Sequence, residues 1–132
     1  MDDFVLVDTS VWVEYFRGGR SATTEALDLL LADERVAIVG VIRAELLSGT
    51  RDDRAFEELR ELLTALQDLG EPPALWETVG RWGAQLRRGG LGGVGIPDLV
   101  IGVTALHYAA PVLTLDRHFE ALARVFGVPL LG

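Results

Sequence analysis

Apolar residues in this chain form short unbroken runs that alternate with longer segments of helical period. Apolar runs at 4–7, 36–39, 112–115 and 128–130 are typical of strands buried on both faces of a sheet. Helices are predicted at 10–17, 22–32, 41–48, 53–67, 74–88, 97–109 and 117–126. Short buried strands that alternate with helices predict an α/β fold, with a parallel sheet between two helical layers.

Two aspartates directly follow predicted strands. Asp8 ends the run 4–7, and Asp116 ends the run 112–115. In open parallel sheets, sites form beyond the carboxyl ends of the strands, so both side chains are expected at that edge.

Two further acids lie on predicted helices. Asp98 follows Pro97 and leads into a strongly apolar helix. Glu45 shares a helical face with Val41 and Ile42, so it is expected to point inward among apolar side chains.

Each acid alone has a structural explanation. Asp8 and Asp116 could cap the helices that follow them, and Asp98 could complement a helix dipole. Glu45 could pair with an arginine. Together, however, the four acids favour one shared site, because ionised carboxylates are rarely buried without a partner. A divalent cation held by carboxylate oxygens is the partner that this chemistry predicts.

Composition narrows the possible functions. The 132 residues, 49% of them hydrophobic, predict one domain over residues 1–132 with a substantial core. The absence of cysteine excludes disulfides, thiolate metal sites and a thiol nucleophile. All 12 basic residues are arginine, which excludes P-loop, Schiff-base and phospho-receiver chemistry that needs lysine. A net charge of −8 argues against nucleic-acid binding through a general basic surface.

The first residues and the lengths of the apolar runs bear on the cellular location of the protein. Met1, Asp2 and Asp3 make an acidic start that is unlike a secretory signal. No apolar run approaches the roughly 18 residues that a membrane span needs. We therefore expect a cytoplasmic protein without a membrane partner.

Four segments, taken in order, resemble the PIN-domain nucleases, and specifically the VapC-type toxins of bacterial type II toxin–antitoxin systems. They are Val7-Asp8-Thr9-Ser10-Val11-Trp12, Ala44-Glu45-Leu46, Pro97-Asp98-Leu99-Val100-Ile101, and Leu113-Thr114-Leu115-Asp116 with Phe119 following. The resemblance covers essentially the whole chain and implies a three-layer α/β/α PIN-like fold.

The resemblance also implies a function. Its catalytic and metal-binding acids would fall on Asp8, Glu45, Asp98 and Asp116, with the hydroxyl groups of Ser10 and Thr114 beside them. The expected activity is Mg²⁺- or Mn²⁺-dependent endonucleolytic cleavage of RNA that leaves a 3′-hydroxyl and a 5′-phosphate. The expected partners are a VapB-like antitoxin and a second copy of the chain. Apolar surface on the helices 10–17 and 53–67 fits such partners.

The glycine-rich segment 89–95 contains a G-x-G-x-x-G pattern. Because a helix is predicted before it, we interpret it as a loop near the site rather than a dinucleotide fingerprint. Arg87, Arg88 and Arg117 are candidate phosphate contacts, although helix ends also favour such charges. His118 is expected on the surface of a first helical turn.

Two other functions remain possible at this stage. A catalytically inactive PIN-fold interaction module would keep the fold, but it has no reason to keep four intact acids. A phospho-receiver domain would need the lysine that the chain lacks.

Overall fold

The computed structural model describes residues 3–132; Met1 and Asp2 of the acidic start lie outside the described residues. The strands are β1 (Val5–Val7), β2 (Val36–Ile38), β3 (Gln67–Asp68) and β4 (Val112–Leu113). The helices are α1 (Thr9–Phe16), α2 (Ala22–Ala32), α3 (Gly40–Ser48), α4 (Asp53–Thr64), α5 (Leu75–Arg88), α6 (Ile96–Tyr108) and α7 (His118–Phe126). None of the helices in this described range is long and apolar enough to cross a membrane.

The four strands form one parallel sheet in the order β3-β2-β1-β4. Leu6 at its centre pairs with Ala37 on one side and Val112 on the other. The chain builds the sheet outward from β1 to β3, then returns across it to β4. Since such connections are right-handed, the outward helices cover one face and the returning helices cover the other. This confirms the three-layer α/β/α fold.

The core lies on both sides of β1 and β2, whose residues are all buried. Helix α6 is buried from Leu99 through Ala105, which explains why this segment is apolar all round rather than amphipathic. Gly102 permits its close packing, because a Cβ there would lie 3.0 Å from the Leu122 side chain and 3.4 Å from Trp82.

The structure differs from the sequence prediction mainly at the sheet edges. The predicted helix 53–67 ends at Thr64, and Gln67–Asp68 forms the edge strand β3 instead. Both strand residues are polar and exposed, so they carry no buried-strand pattern. The predicted strand 112–115 is only two residues long, and 128–130 contributes a single bridge to it.

Candidate metal centre

Asp8 and Asp116 lie at the carboxyl edge of the sheet, as predicted. Asp8 follows β1 and Asp116 lies shortly after β4, and these two strands are hydrogen-bonded neighbours. The chain leaves β1 toward β2 on one side and arrives last at β4 on the other. This reversal of direction opens a crevice at the ends of the strands, which is where parallel sheets place their sites.

Asp8 is the most deeply buried acid of the site, at 4% exposure. Its Oδ2 accepts hydrogen bonds from Ser10 Oγ at 2.7 Å and from Thr114 Oγ1 at 3.0 Å. It also accepts a longer bond, at 3.4 Å, from the Ser10 backbone N–H. Asp8 is thus the N-cap of α1, and the helix begins at Thr9, one residue earlier than predicted.

The two hydroxyl groups also tie the β4–α7 segment to β1. Ser10 Oγ accepts a hydrogen bond from the Leu115 N–H at 3.0 Å, and Thr114 Oγ1 accepts one from the Asp116 N–H at 2.9 Å. Each hydroxyl therefore donates a hydrogen bond to Asp8 and accepts one from a backbone N–H of the β4–α7 segment. This arrangement fixes the Asp8 carboxylate against the backbone that carries Asp116.

Asp98 enters the site from the first turn of α6 and meets Asp116 together with His118. One ligand atom from each of the three residues lies within 4.8 Å of the others. His118 Nδ1 is 3.3 Å from Asp98 Oδ2 and 3.3 Å from Asp116 Oδ1. The His118 backbone N–H donates to Asp116 Oδ1 at 2.9 Å, which orients that carboxylate.

The electrostatics of the site are unfavourable for the carboxylates alone. Burial, followed by the charges of Asp116 and Asp8, raises the pKa of the Asp98 carboxyl from 3.8 to about 6. Hydrogen bonding to His118 offsets only part of this shift. No arginine forms a salt bridge with Asp8, Asp98 or Asp116 within residues 3–132. This surplus of negative charge on hard oxygen donors fits a divalent cation.

Glu45 is placed differently from the expectation. Its side chain is exposed rather than inward, although it does lie on α3 near the same edge. Its Oε1 accepts a hydrogen bond from Thr9 Oγ1 at 2.7 Å, which holds it beside the start of α1. The alternative of an arginine salt bridge has no support in the described part of the chain. That Glu45 shares a cation with the three aspartates stays a prediction.

The glycine-rich loop follows helix α5 and lies beside the site, as interpreted from the sequence. A Cβ at Gly93 would be 3.8 Å from His118 Nε2. Arg87, Arg88 and Arg117 are all exposed, and contact between them and RNA stays a prediction.

His118 belongs to this site, although its sequence position predicted only a surface residue of a first helical turn. Its side chain is about half exposed, as a first-turn residue would be, yet its ring contacts two of the predicted metal-binding acids. The available signal was its position two residues after Asp116. That signal becomes informative only once α6 is known to bring Asp98 to the same place.

The fold and the site together define the class of this protein. It is an α/β domain with a candidate metal centre of carboxylates at the switch point of its sheet. The PIN domain family model matches residues 5–125. A VapC ribonuclease of Mycobacterium bovis and the ribonuclease VapC11 of Mycobacterium tuberculosis are each 32% identical over 124 residues, covering 92% of both chains. The chain therefore belongs to the PIN-domain family, and within it to the VapC group.

Solved structures agree with this assignment. VapBC-1 of Haemophilus influenzae matches with a TM-score of 0.76 at 20% identity, covering 97% of this chain and 96% of that one. VapBC2 of Rickettsia felis, bound to a promoter DNA fragment, matches with a TM-score of 0.75 at 20% identity and 97% coverage of both chains. VapBC-5 of Mycobacterium tuberculosis matches with a TM-score of 0.65 at 26% identity and 98% coverage of both.

Proposed function

We propose that this protein is a metal-dependent endoribonuclease that acts as a cytoplasmic toxin of a toxin–antitoxin pair. The observation that carries the proposal is the convergence of Asp98 and Asp116 beside the buried Asp8, in a chain 32% identical to VapC ribonucleases. The proposed ion is Mg²⁺ or Mn²⁺, because both take carboxylate oxygens and retain positions for water and phosphate.

In the proposed centre, Asp8, Asp98 and Asp116 would hold the ion, with Glu45 of α3 as the fourth acid. When bound, the ion lowers the pKa of a coordinated water and stabilises charge on the scissile phosphate and its leaving oxygen. Ser10 and Thr114 keep the Asp8 carboxylate in one orientation through their hydrogen bonds to Oδ2. These bonds would keep the Asp8 carboxylate in the orientation in which it holds the ion.

The charge of the chain bears on how RNA binds. At −8, long-range attraction to phosphate is absent, so affinity has to come from the ion and from a few local arginines. Arg87, Arg88 and Arg117 form the proposed arginine group, and all three are exposed near the loop and α7. We expect weak binding without metal and selectivity for particular structured RNAs.

The proposed antitoxin, a VapB-like protein, has a suitable surface beside the site. A groove of about 510 Å³ lies between α1, α3 and α4, and Glu45 stands at its edge. Apolar side chains of Val13, Phe16, Leu59 and Leu62 line it. The apolar surface predicted on the first and fourth helices thus forms one groove. VapBC-5, described above, is a member of a family of toxin–antitoxin systems, which supports an antitoxin segment as the occupant of the groove.

The proposed homodimer is a separate question. The apolar surface that motivated it belongs largely to the groove, so a second copy would need another face. Light scattering of the isolated protein at high micromolar concentration tests this: a dimer is expected, and a monomer would contradict it.

The test of the function is cleavage of RNA by the purified protein. Total RNA is incubated with Mg²⁺, with Mn²⁺ or with EDTA, and the new 5′ ends are mapped by sequencing. We expect discrete cuts with either ion, 5′-phosphate ends, and no cuts with EDTA. Metal-independent cleavage would contradict the proposed chemistry, and intact RNA under all conditions would favour the inactive interaction module.

A further inference from the structure

His118 lies in the centre without a role in the chemistry so far described. Its Nδ1 is equidistant, at 3.3 Å, from an oxygen of Asp98 and an oxygen of Asp116. For a hydrogen bond between a nitrogen and a carboxylate, 3.3 Å is long, since such bonds favour roughly 2.7–2.9 Å. The ring nitrogen thus faces both carboxylates equally, without a short hydrogen bond to either.

The two distances of 3.3 Å, with the third within 4.8 Å, are compatible with three ligands of one ion. Ligand atoms at roughly 2.1 Å from an octahedral cation lie about 3 Å from their neighbours. We propose that His118 Nδ1 is a nitrogen ligand of the metal centre, together with Asp98 and Asp116, and that it favours Mn²⁺ over Mg²⁺. The inference rests on the metal-dependent nuclease proposed above and adds a selectivity to it.

The surroundings of the ring are compatible with this role. The His118 backbone N–H already satisfies Asp116 Oδ1 at 2.9 Å, so the ring is not needed to hold that carboxylate. The other ring nitrogen, Nε2, lies toward the loop at Gly93, so it can carry the proton when Nδ1 binds the ion. A Cβ at position 93 would make only an ordinary van der Waals contact with this nitrogen.

The selectivity follows from ligand chemistry. Mg²⁺ strongly favours oxygen ligands and water, whereas transition-metal ions gain more from an imidazole nitrogen. Carboxylate oxygens suit both ions, so the nitrogen is the ligand that separates them most. One nitrogen among oxygen ligands should therefore strengthen Mn²⁺ binding and leave Mg²⁺ binding nearly unchanged.

The chain offers a direct experiment, because it contains only two histidines. Tag-free wild-type protein is loaded with Mn²⁺, and pulsed electron paramagnetic resonance detects any imidazole nitrogen coupled to the ion. We expect a ¹⁴N coupling that disappears in His118→Ala and persists in His107→Ala. His107 is the matched control, since it is exposed and lies near the other end of α6.

Calorimetric titrations with Mn²⁺ and Mg²⁺ supply the second readout. We expect His118→Ala and His118→Gln to weaken Mn²⁺ binding by about tenfold or more and Mg²⁺ binding by less than about threefold. Equal weakening of both ions would show that His118 only positions the carboxylates, and would overturn the proposal.

The failures of the two proposals are distinguishable. Mn²⁺ binding by the wild type without ¹⁴N coupling overturns the role of His118 and leaves the nuclease intact. Absence of any Mn²⁺ or Mg²⁺ binding would overturn the metal centre, and with it both proposals.

Discussion

Replacing Asp98 with asparagine should stabilise the metal-free protein. The raised pKa of Asp98 means that its ionised form is disfavoured in the folded state. The shift from 3.8 to about 6 corresponds to about 3 kcal/mol at 1.36 kcal/mol per pH unit. Solvent screens part of this unfavourable interaction, because the Asp98 side chain is 18% exposed and the Asp116 side chain is 33% exposed. We therefore expect Asp98→Asn to raise the free energy of unfolding by about 1–2 kcal/mol above pH 7.

The pH dependence gives the sign of the effect. Between about pH 4 and 6, folded Asp98 keeps a proton that the unfolded chain releases. This contribution to wild-type stability is fully present below pH 4 and is lost as the pH rises through about 6. The stability advantage of Asp98→Asn over the wild type should therefore be small near pH 4 and complete above pH 6.

Thermal and urea unfolding in EDTA, at several pH values, measure the difference between the two proteins. The expected gain corresponds to a rise in Tm of about 3–8 °C for a domain of this size. Glu71→Gln is the control, since it removes one charge from an exposed loop residue next to Gly70, the partner of Tyr108 at the far end of α6. A variant that is less stable than wild type at pH 7.5, or an equal gain in the control, would refute the argument.

Three further predictions concern packing, hydrogen bonding and RNA. Thr114→Val should lower stability by about 1–3 kcal/mol, because Asp8 loses a donor and a backbone N–H loses its acceptor; unchanged urea unfolding would contradict this. Gly102→Ala should lower the free energy of unfolding by about 1 kcal/mol through its contact with Leu122, whereas Gly80→Ala, with open space around it, should stabilise α5 by up to about 1 kcal/mol. Calorimetry compares the two variants, and equal effects on stability would argue against the close packing at Gly102. Replacing the arginine group with alanine should weaken RNA binding and reduce the slope of log affinity against log salt by about 2; an unchanged slope would place the phosphate contacts elsewhere.

The sequence predicted the parts of the fold that depend on local pattern. The bounds of α2, 22–32, were predicted to the residue, because apolar spacing is a local signal; the structure adds a cap at Ser21. The positions of Asp8 and Asp116 were also predicted, since a residue that follows a buried strand in a parallel sheet lies at the edge formed by the carboxyl ends of the strands.

The features that the sequence did not predict depend on contacts between distant segments of the chain. The edge strand β3 exists because its backbone pairs with β2, and its side chains carry no trace of that pairing. Glu45 was expected inward from its helical face, but it borders the groove beside α3 and is exposed there. His118 gained its place in the site from a helix that begins more than twenty residues earlier, which no local spacing encodes.

The central claim is that the three aspartates hold the ion that cleaves RNA. Its most direct test is the cleavage rate of Asp8→Asn and Asp98→Asn at saturating Mg²⁺, measured on a substrate that the wild type cuts, with Glu71→Gln as the charge-matched control. The account predicts that both aspartate variants remain folded and lose detectable cleavage, while the control keeps the wild-type rate. Wild-type cleavage by either folded aspartate variant would contradict the claim for that residue.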